Sequence, residues 1–242
     1  MDHEIEIPKE APVMTLPNTV LFPQAILPLY IFEDRYRQML KDVLDSHRTF
    51  VVAGLNQDLA ESEPDLGVLS GLKDKPENDY FEPPHDVATI GMIRACHGND
   101  DGTSNLILQG LVRVKFNRII TESPYRVADI SPLYSDFNAE TENLEANRDA
   151  LLKLIQDRHS VLKKEQQEVF SFLEKIHDPD VFIDLAAFAM VGQTADKQRL
   201  LETLKTAERY QIFQQLMRTE IESLKLVQKL KGNLKDDDII KN

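Results

Sequence analysis

The chain has 242 residues, 42% hydrophobic and 29% charged, with a net charge of −13 and a pI near 4.9. That length suits one large domain or two small ones with a real core. The acidity argues against a phosphate-backbone partner and against an anionic membrane surface, because both need clustered Lys and Arg. Cys96 is the single cysteine, so no internal disulfide and no cysteine-based zinc site can form, and Cys96-His97 reads as a strand-end thiol beside a surface histidine.

In chain order, residues 1–12 read as a frayed tail. Then comes "LPNTVLFPQAILPLYIF", Leu16 to Phe32, uncharged but holding Pro17, Pro23 and Pro28, which would break a membrane helix. Residues 1–10 carry four acids and one Lys rather than the basic start of a signal peptide, so a cytoplasmic protein is expected. The prolines instead suit short strands near Val13–Leu16 and Ala25–Ile31, joined by a bend at "LFPQ". Phe32, Tyr36, Met39, Leu40, Val43 and Leu44 recur at helical spacing, with Glu33 and Asp34 in the first turn, and predict an amphipathic helix over the end of a barrel or sheet. "TFVVAGLN" reads as a buried strand.

Residues 57–86 read as a long loop, and residues 58–86 hold nine acids against Lys73 and Lys75, a net of −7. Within it Leu66, Val68, Leu72, Tyr80 and Phe81 are apolar; they either pin the loop to the barrel or are exposed for binding. "VATIGMIRACH" and "SNLILQGLVRVKF" read as strands joined by a "GNDDG" turn, with Leu106, Leu108, Val112, Val114 and Phe116 on one parity and Arg113 and Lys115 on the solvent parity. Gly110, among the apolar positions, suggests a bulge or a barrel corner. "YRVADISPL" adds a last strand, and the set predicts a small antiparallel barrel.

From about Asn138 the pattern is helical. Residues 143–176 predict two helices. In "DPDVFIDLAAFAMVG", Asp178 fits an N-cap, Pro179 the first turn and Gly192 the C′ position, and the apolar middle predicts a buried central helix. Thr194 to Gly232 predicts one continuous helix of roughly 55 Å whose distal half folds back, projects onto a partner or pairs as a coiled coil.

"LPNTVLFPQAILPLYIFEDRYRQML" resembles the N-terminal domain of Lon proteases, with Leu16-Pro17, Phe22-Pro23 and Leu27-Pro28 standing ahead of a helix. "VATIGMIRA…DGTSNLILQGLVRVKFNRIITESPYRVADISPL" and "DLAAFAMVGQTADKQRLLETLKTAERYQIFQQLM" resemble the rest of that domain. The likeness runs over roughly residues 12–230. It implies an α+β fold: a PUA-like β pseudo-barrel over residues 1–135, then an α-helical bundle with a long exit helix over residues 136–242. In full-length Lon an ATPase and a serine–lysine peptidase follow. Here no G-x-x-x-x-G-K-[ST] motif and no glycine-rich segment around a serine occurs, so no catalytic residue is carried over.

The resemblance implies a non-catalytic module that binds unfolded or tagged protein segments, an adaptor in protein quality control, with no cofactor and no metal. Such binding needs exposed apolar surface, and Leu72, Tyr80 and Phe81, with a groove between barrel and bundle, are the expected contacts. Two other classes are weighed. A peptidase or hydrolase would have to assemble its site from scattered residues, since Glu33-Asp34 and Asp100-Asp101 read as a helix start and a turn, and His47, His85, His97, His159 and His177 are dispersed. RNA binding on a PUA-like barrel would need Arg113, Lys115, Arg118 and Arg126 to form a patch, against the overall charge.

Overall fold

The strands predicted from alternation and proline spacing form one sheet of six: β1 (Glu10–Leu16), β2 (Ile26–Ile31), β3 (Thr49–Gly54), β4 (Val87–Gly98), β5 (Ser104–Thr121) and β6 (Arg126–Leu133). The structure is a computed structural model and describes residues 6–61, 82–136, 144–162 and 167–237. The chain divides into two compact units, Met1–Tyr134 and Ser135–Asn242.

The strand order is β2-β5-β4-β3-β1-β6, with a further β5–β6 pairing that closes a ring. The closure is possible because β5 has 18 residues. Its Ser104–Gln109 half pairs with β2, and its Arg113–Thr121 half pairs with β6 along the same edge. Inside the ring Val13, Val51, Ala53, Ala88, Ile90, Val114 and Ile130 form the apolar core. The barrel is not wholly antiparallel as expected: β1 and β3 run parallel, Val13 opposite Val51. The segment between them, β2 plus a helix, is long enough to return the chain in the same direction. Residues 1–12 are not all tail either, since β1 starts at Glu10, Ile130 N–H donates to the Lys9 carbonyl, and Ile7 packs on the core.

Helix α1 (Asp34–Leu44) buries Tyr36, Met39, Leu40 and Val43. Tyr36 Oη accepts from Thr15 N–H and donates to the Thr15 carbonyl, both at 3.2 Å, tying the helix to β1. Phe32, expected on that helix, lies before it and is 60% exposed. A short helix α2 (Gln57–Glu61) follows β3.

Gly110 marks the predicted corner. The β4–β5 register shifts beside it, and a Cβ there would lie 2.1 Å from the Phe22 carbonyl oxygen. The "LFPQ" bend presses onto this glycine: Gln24 N–H donates to the Gly110 carbonyl and Gly110 N–H to the Ala25 carbonyl, each at 2.9 Å. Thr89 Oγ1 donates to the Leu21 carbonyl at 2.6 Å. Thr89 stands opposite Arg113 in register, and Arg113, expected on the solvent face, is 2% exposed. The Leu21–Phe22 stretch covers a face that strand parity alone assigns to water.

In the second unit the helices are α3 (Leu144–Leu162), α4 (Gln167–Glu174), α5 (Pro179–Met190), α6 (Thr194–Glu202) and α7 (Thr206–Asp237). Asp178 caps α5 by accepting from Asp180 N–H at 2.9 Å and Val181 N–H at 3.0 Å, with Pro179 in the first turn as predicted. Three punctuation marks fall differently. Val191, in extended backbone, ends α5 without a left-handed residue at Gly192; Gln193 rather than Thr194 is the N-cap of α6; and α7 runs past Gly232 to Asp237.

The predicted single long helix is two. It breaks at Thr203, whose backbone is extended, and Asp136 N–H donates to the Leu204 carbonyl at 3.0 Å in the gap. A side-chain hub holds the break. Arg209, fully buried, pairs with Asp180 and Asp184 and donates to Ser135 Oγ at 2.7 Å and Thr206 Oγ1 at 3.1 Å. Ser135 Oγ and Thr206 Oγ1 donate to the two Asp180 oxygens at 2.5 and 2.6 Å. Tyr210, next to Arg209, donates to the Pro179 carbonyl at 3.0 Å and stacks on Phe182. The α7 helix is about 48 Å long at 1.5 Å per residue, with 32 residues. Its apolar residues are buried only as far as Ile221, while Leu226, Val227 and Leu230 are exposed.

Candidate functional site

The barrel unit carries an exposed apolar face where β2, β5 and β4 lie side by side. The strand period turns Leu27, Leu29 and Ile31 inward and sets Ile26, Pro28 and Tyr30 outward. The pairing register lays this face out in rows: Ile26 beside Gln109 and Met92, Pro28 beside Ile107 and Ala95, Tyr30 beside Asn105 and His97. Ile26, Tyr30 and Ile107 are 47%, 53% and 37% exposed. Phe32 continues the row and stacks on Tyr30 with ring centroids 5.9 Å apart. A shallow pocket of about 450 Å³ opens along Pro28, Tyr30, Ala95, Cys96, His97 and Ile107. Contiguous apolar surface of this kind is the sort that docking faces present.

The ends of the face differ in charge. At the Ile26 end Arg94, at a β-bulge, donates to Gln109 Oε1 at 2.7 Å, and Gln109 donates to Gln24 Oε1 at 3.0 Å. Gln24 holds a left-handed backbone, φ 63°, to make the bend. At the Tyr30 end come the β4–β5 turn, with Asp100 and Asp101, and the start of α1. Asp101 accepts from Thr103 Oγ1 at 2.6 Å and Thr103 N–H at 3.0 Å, and these bonds hold its carboxyl below the usual carboxylate range. Gly102 takes φ 81° at the tip of the turn.

The predicted contacts Leu72, Tyr80 and Phe81 lie outside the described residues. The basic residues weighed for RNA do not form a patch: Arg113 is buried, Arg118 faces Asp129 at 3.6 Å, and Arg126 is engaged by Glu122, Thr15 and the Glu82 carbonyl. The carboxylate pairs are structural, with Glu33 on Arg35, Asp34 on Arg37 and Asp101 bracing its turn. Cys96 is half-buried beside the exposed His97, as read from sequence. Among the described residues no His, Cys, Asp or Glu cluster suits a metal, and no helix is long and apolar enough to cross a membrane. The apolar face was not among the expected contacts, which were placed on the loop at Leu72, Tyr80 and Phe81. Its signal was present in Tyr30 and Phe32, two aromatics on the outward parity of a proline-bearing edge strand.

Residues 10–219 match the family profile described as the ATP-dependent protease La (LON) substrate-binding domain. The Lon protease of Desulfosudis oleivorans is 25% identical over 96% of this chain and 26% of its own length. That of Dictyoglomus thermophilum is 23% identical over 96% of this chain and 27% of its own length. The chain therefore spans about a quarter of the length of these relatives. Among solved structures, the N-terminal domain of Mycobacterium avium complex Lon protease superposes with a TM-score of 0.61 at 17% identity, covering 87% of this chain and 98% of that one. A Lon N-terminal domain protein from Xanthomonas campestris gives 0.52 at 18% identity, covering 86% and 97%. With the profile matching most of its length, the chain belongs to the Lon substrate-binding domain family.

Proposed function

We propose that this chain is a non-catalytic module that binds unfolded or tagged protein segments in the cytoplasm, serving protein quality control as an adaptor. The observation that carries the reading is the exposed apolar face of Ile26, Pro28, Tyr30, Phe32 and Ile107 on a domain of a substrate-binding family. Its two stacked aromatics offer large, stiff contact area at low entropic cost, as binding surfaces do. The nearby carboxylates Glu33, Asp34 and Asp101 are engaged in ion pairs and a turn, which favours binding over cleavage.

The test is capture of a permanently unfolded, carboxymethylated polypeptide by the full chain, with and without Tyr30→Ser and Phe32→Ser. Each truncation removes about 1–2 kcal/mol of contact, so the double variant is expected to bind at least about tenfold more weakly with an unchanged circular dichroism spectrum. Equal binding by the variant defeats this site.

A second contact is proposed at the end of α7, where Leu226, Val227 and Leu230 stand exposed on successive turns. Helix pairing there with another copy or another protein would cover them. Sedimentation of the wild type against Leu226→Glu/Leu230→Glu tests it. A monomer at all concentrations, together with identical partner profiles for the two proteins, sinks it.

A further inference from the structure

We infer that the β2–β5–β4 face reads an unfolded segment through its side chains, with the open edge of β2 closed to strand addition, and that the segment carries a basic residue at the Tyr30 end. The inference rests on the proposed binding function and specifies how the same surface would choose its occupant.

The free edge comes first. Among the described residues β2 pairs with β5 alone, and its other edge is open. In an antiparallel ladder, residues that exchange hydrogen bonds with the partner strand alternate with residues whose N–H and C=O point away. Gly110 N–H donates to the Ala25 carbonyl, so Ala25 faces β5. Leu27, Leu29 and Ile31 share that parity, which leaves Ile26, Pro28 and Tyr30 pointing to the open edge. The middle position is a proline. It has no N–H to give, and its ring stands where an added strand would approach. A visiting strand would find donors only at Ile26 and Tyr30, on either side of that block. Proline on an exposed edge is a known defence against edge-to-edge pairing.

The face has no such obstacle. Tyr30, Phe32, Ile26 and Ile107 are solvent-facing on a paired, rigid sheet. Contact through them needs apolar side chains and makes no demand on the visitor's backbone.

Charge complementarity then selects among apolar segments. The β4–β5 turn begins just past His97, which is in register with Asn105 and so with Tyr30. Arg37 pairs with Asp34 and also lays its guanidinium against the turn at Gly102, where it acts on Asp101, and Arg35 pairs with Glu33 and Glu82; Glu33, Asp34, Glu82, Asp100 and Asp101 still outnumber these two cations. The excess at this end is negative, and the whole chain, at −13, adds to it. A cation on the visitor's flank is favoured there and an anion disfavoured.

The experiment measures fluorescence anisotropy of labelled nonapeptides with the full chain. One peptide has an apolar centre and a Lys flank. A second has Glu in place of Lys. Two more are N-methylated at the odd or at the even backbone amides, so that each strand edge is blocked once. Both N-methylated peptides are expected to bind within about twofold of the parent. The Lys peptide is expected to bind about fivefold more tightly than the Glu peptide, as exposed charge pairs allow, and Asp100→Asn/Asp101→Asn should erase the difference. Pro28→Val, which supplies the missing N–H, should tighten the parent peptide and the N-methylated peptide whose pairing edge is free, and leave the other N-methylated peptide unchanged. A loss of about tenfold on methylating one edge, the cost of several hydrogen bonds, overturns side-chain reading while the binding function stands. Equal affinity for Lys and Glu peptides overturns the charge selection. No binding of any peptide removes the function and the inference together.

Discussion

The two units are held closed by different means. In the barrel unit the backbone does it: β5 hydrogen-bonds β4 along one edge and shares the other between β2 and β6. Its interior is a plain cluster of Val, Ala, Ile and similar residues. In the helical unit most backbone bonds stay within each helix, and at the α6–α7 break the one from Asp136 N–H to the Leu204 carbonyl is joined by side chains around a fully buried guanidinium. A ladder tolerates the loss of one side chain better than a hub tolerates the loss of its centre.

The comparison is tested hardest at Arg209. Arg209→Met removes the guanidinium that pairs with Asp184, 2% exposed, and breaking a buried ion pair from one side costs about 3–5 kcal/mol. Amide exchange should accelerate in α5 and α7 while β3 and β4 keep their protection. Adding Asp184→Leu is expected to recover part of the loss, since the buried carboxylate that lost its guanidinium is then gone. If β-strand protection falls as far as helix protection, the units do not unfold separately and the contrast fails.

The matching test in the barrel is Gly110→Ala. Its Cβ would meet a backbone oxygen at 2.1 Å, which no rotamer change relieves, and overpacking of this kind costs about 2–3 kcal/mol. Urea unfolding followed at the barrel should shift, with the helical unit's exchange unchanged.

Tyr36→Phe removes both bonds to Thr15 and should cost about 1–2 kcal/mol. It also has a signature in pH. Burial pushes the Tyr36 phenol up from 10.0 to about 12. A phenol raised in the folded state stays protonated there while the unfolded chain has begun to ionise. Its stability is complete below pH 10 and is lost as the pH climbs towards 12. Wild-type denaturation midpoints should fall through that window, and those of Tyr36→Phe should fall less steeply. The smallest effect belongs to Asp178→Ala, which removes the cap of α5 and should lower the helical unit's stability by about 1 kcal/mol.

Local signals in the sequence were read well where local physics decides. Asp178-Pro179 gave the start of α5, the apolar stretch Phe182–Met190 its burial, and Gly110 the corner. They misled where a distant segment intervenes. Arg113 sits on the solvent parity of β5, yet it is buried, and its cross-strand neighbour Thr89 bonds the Leu21 carbonyl. Thr194 to Gly232 has uninterrupted helical spacing, yet the chain breaks at Thr203 because Asp136 bonds to the gap and Arg209 anchors Ser135, Asp180 and Asp184 around it. The parallel β1–β3 pairing was hidden for the same reason, since strand direction follows from connections rather than composition. As for the site, the outward parity of Tyr30 and Phe32 could be counted in the sequence. That β2 pairs with β5 alone among the described residues could not, because the split of β5 between two neighbours is a property of the closed ring.

That split also sets an order of events. Glu10 pairs with Asp129, and nothing can join β1 to β5 except through β6 or through β3 and β4. A nascent chain therefore has to expose nearly the whole barrel sequence before the ring can shut, and contacts this remote in sequence form slowly. The helical unit, with shorter loops to close, has no such wait. Until β6 arrives, Val13, Val51 and Ile90 have no finished interior to enter, and the growing chain itself presents apolar strands of the kind proposed above as the module's target.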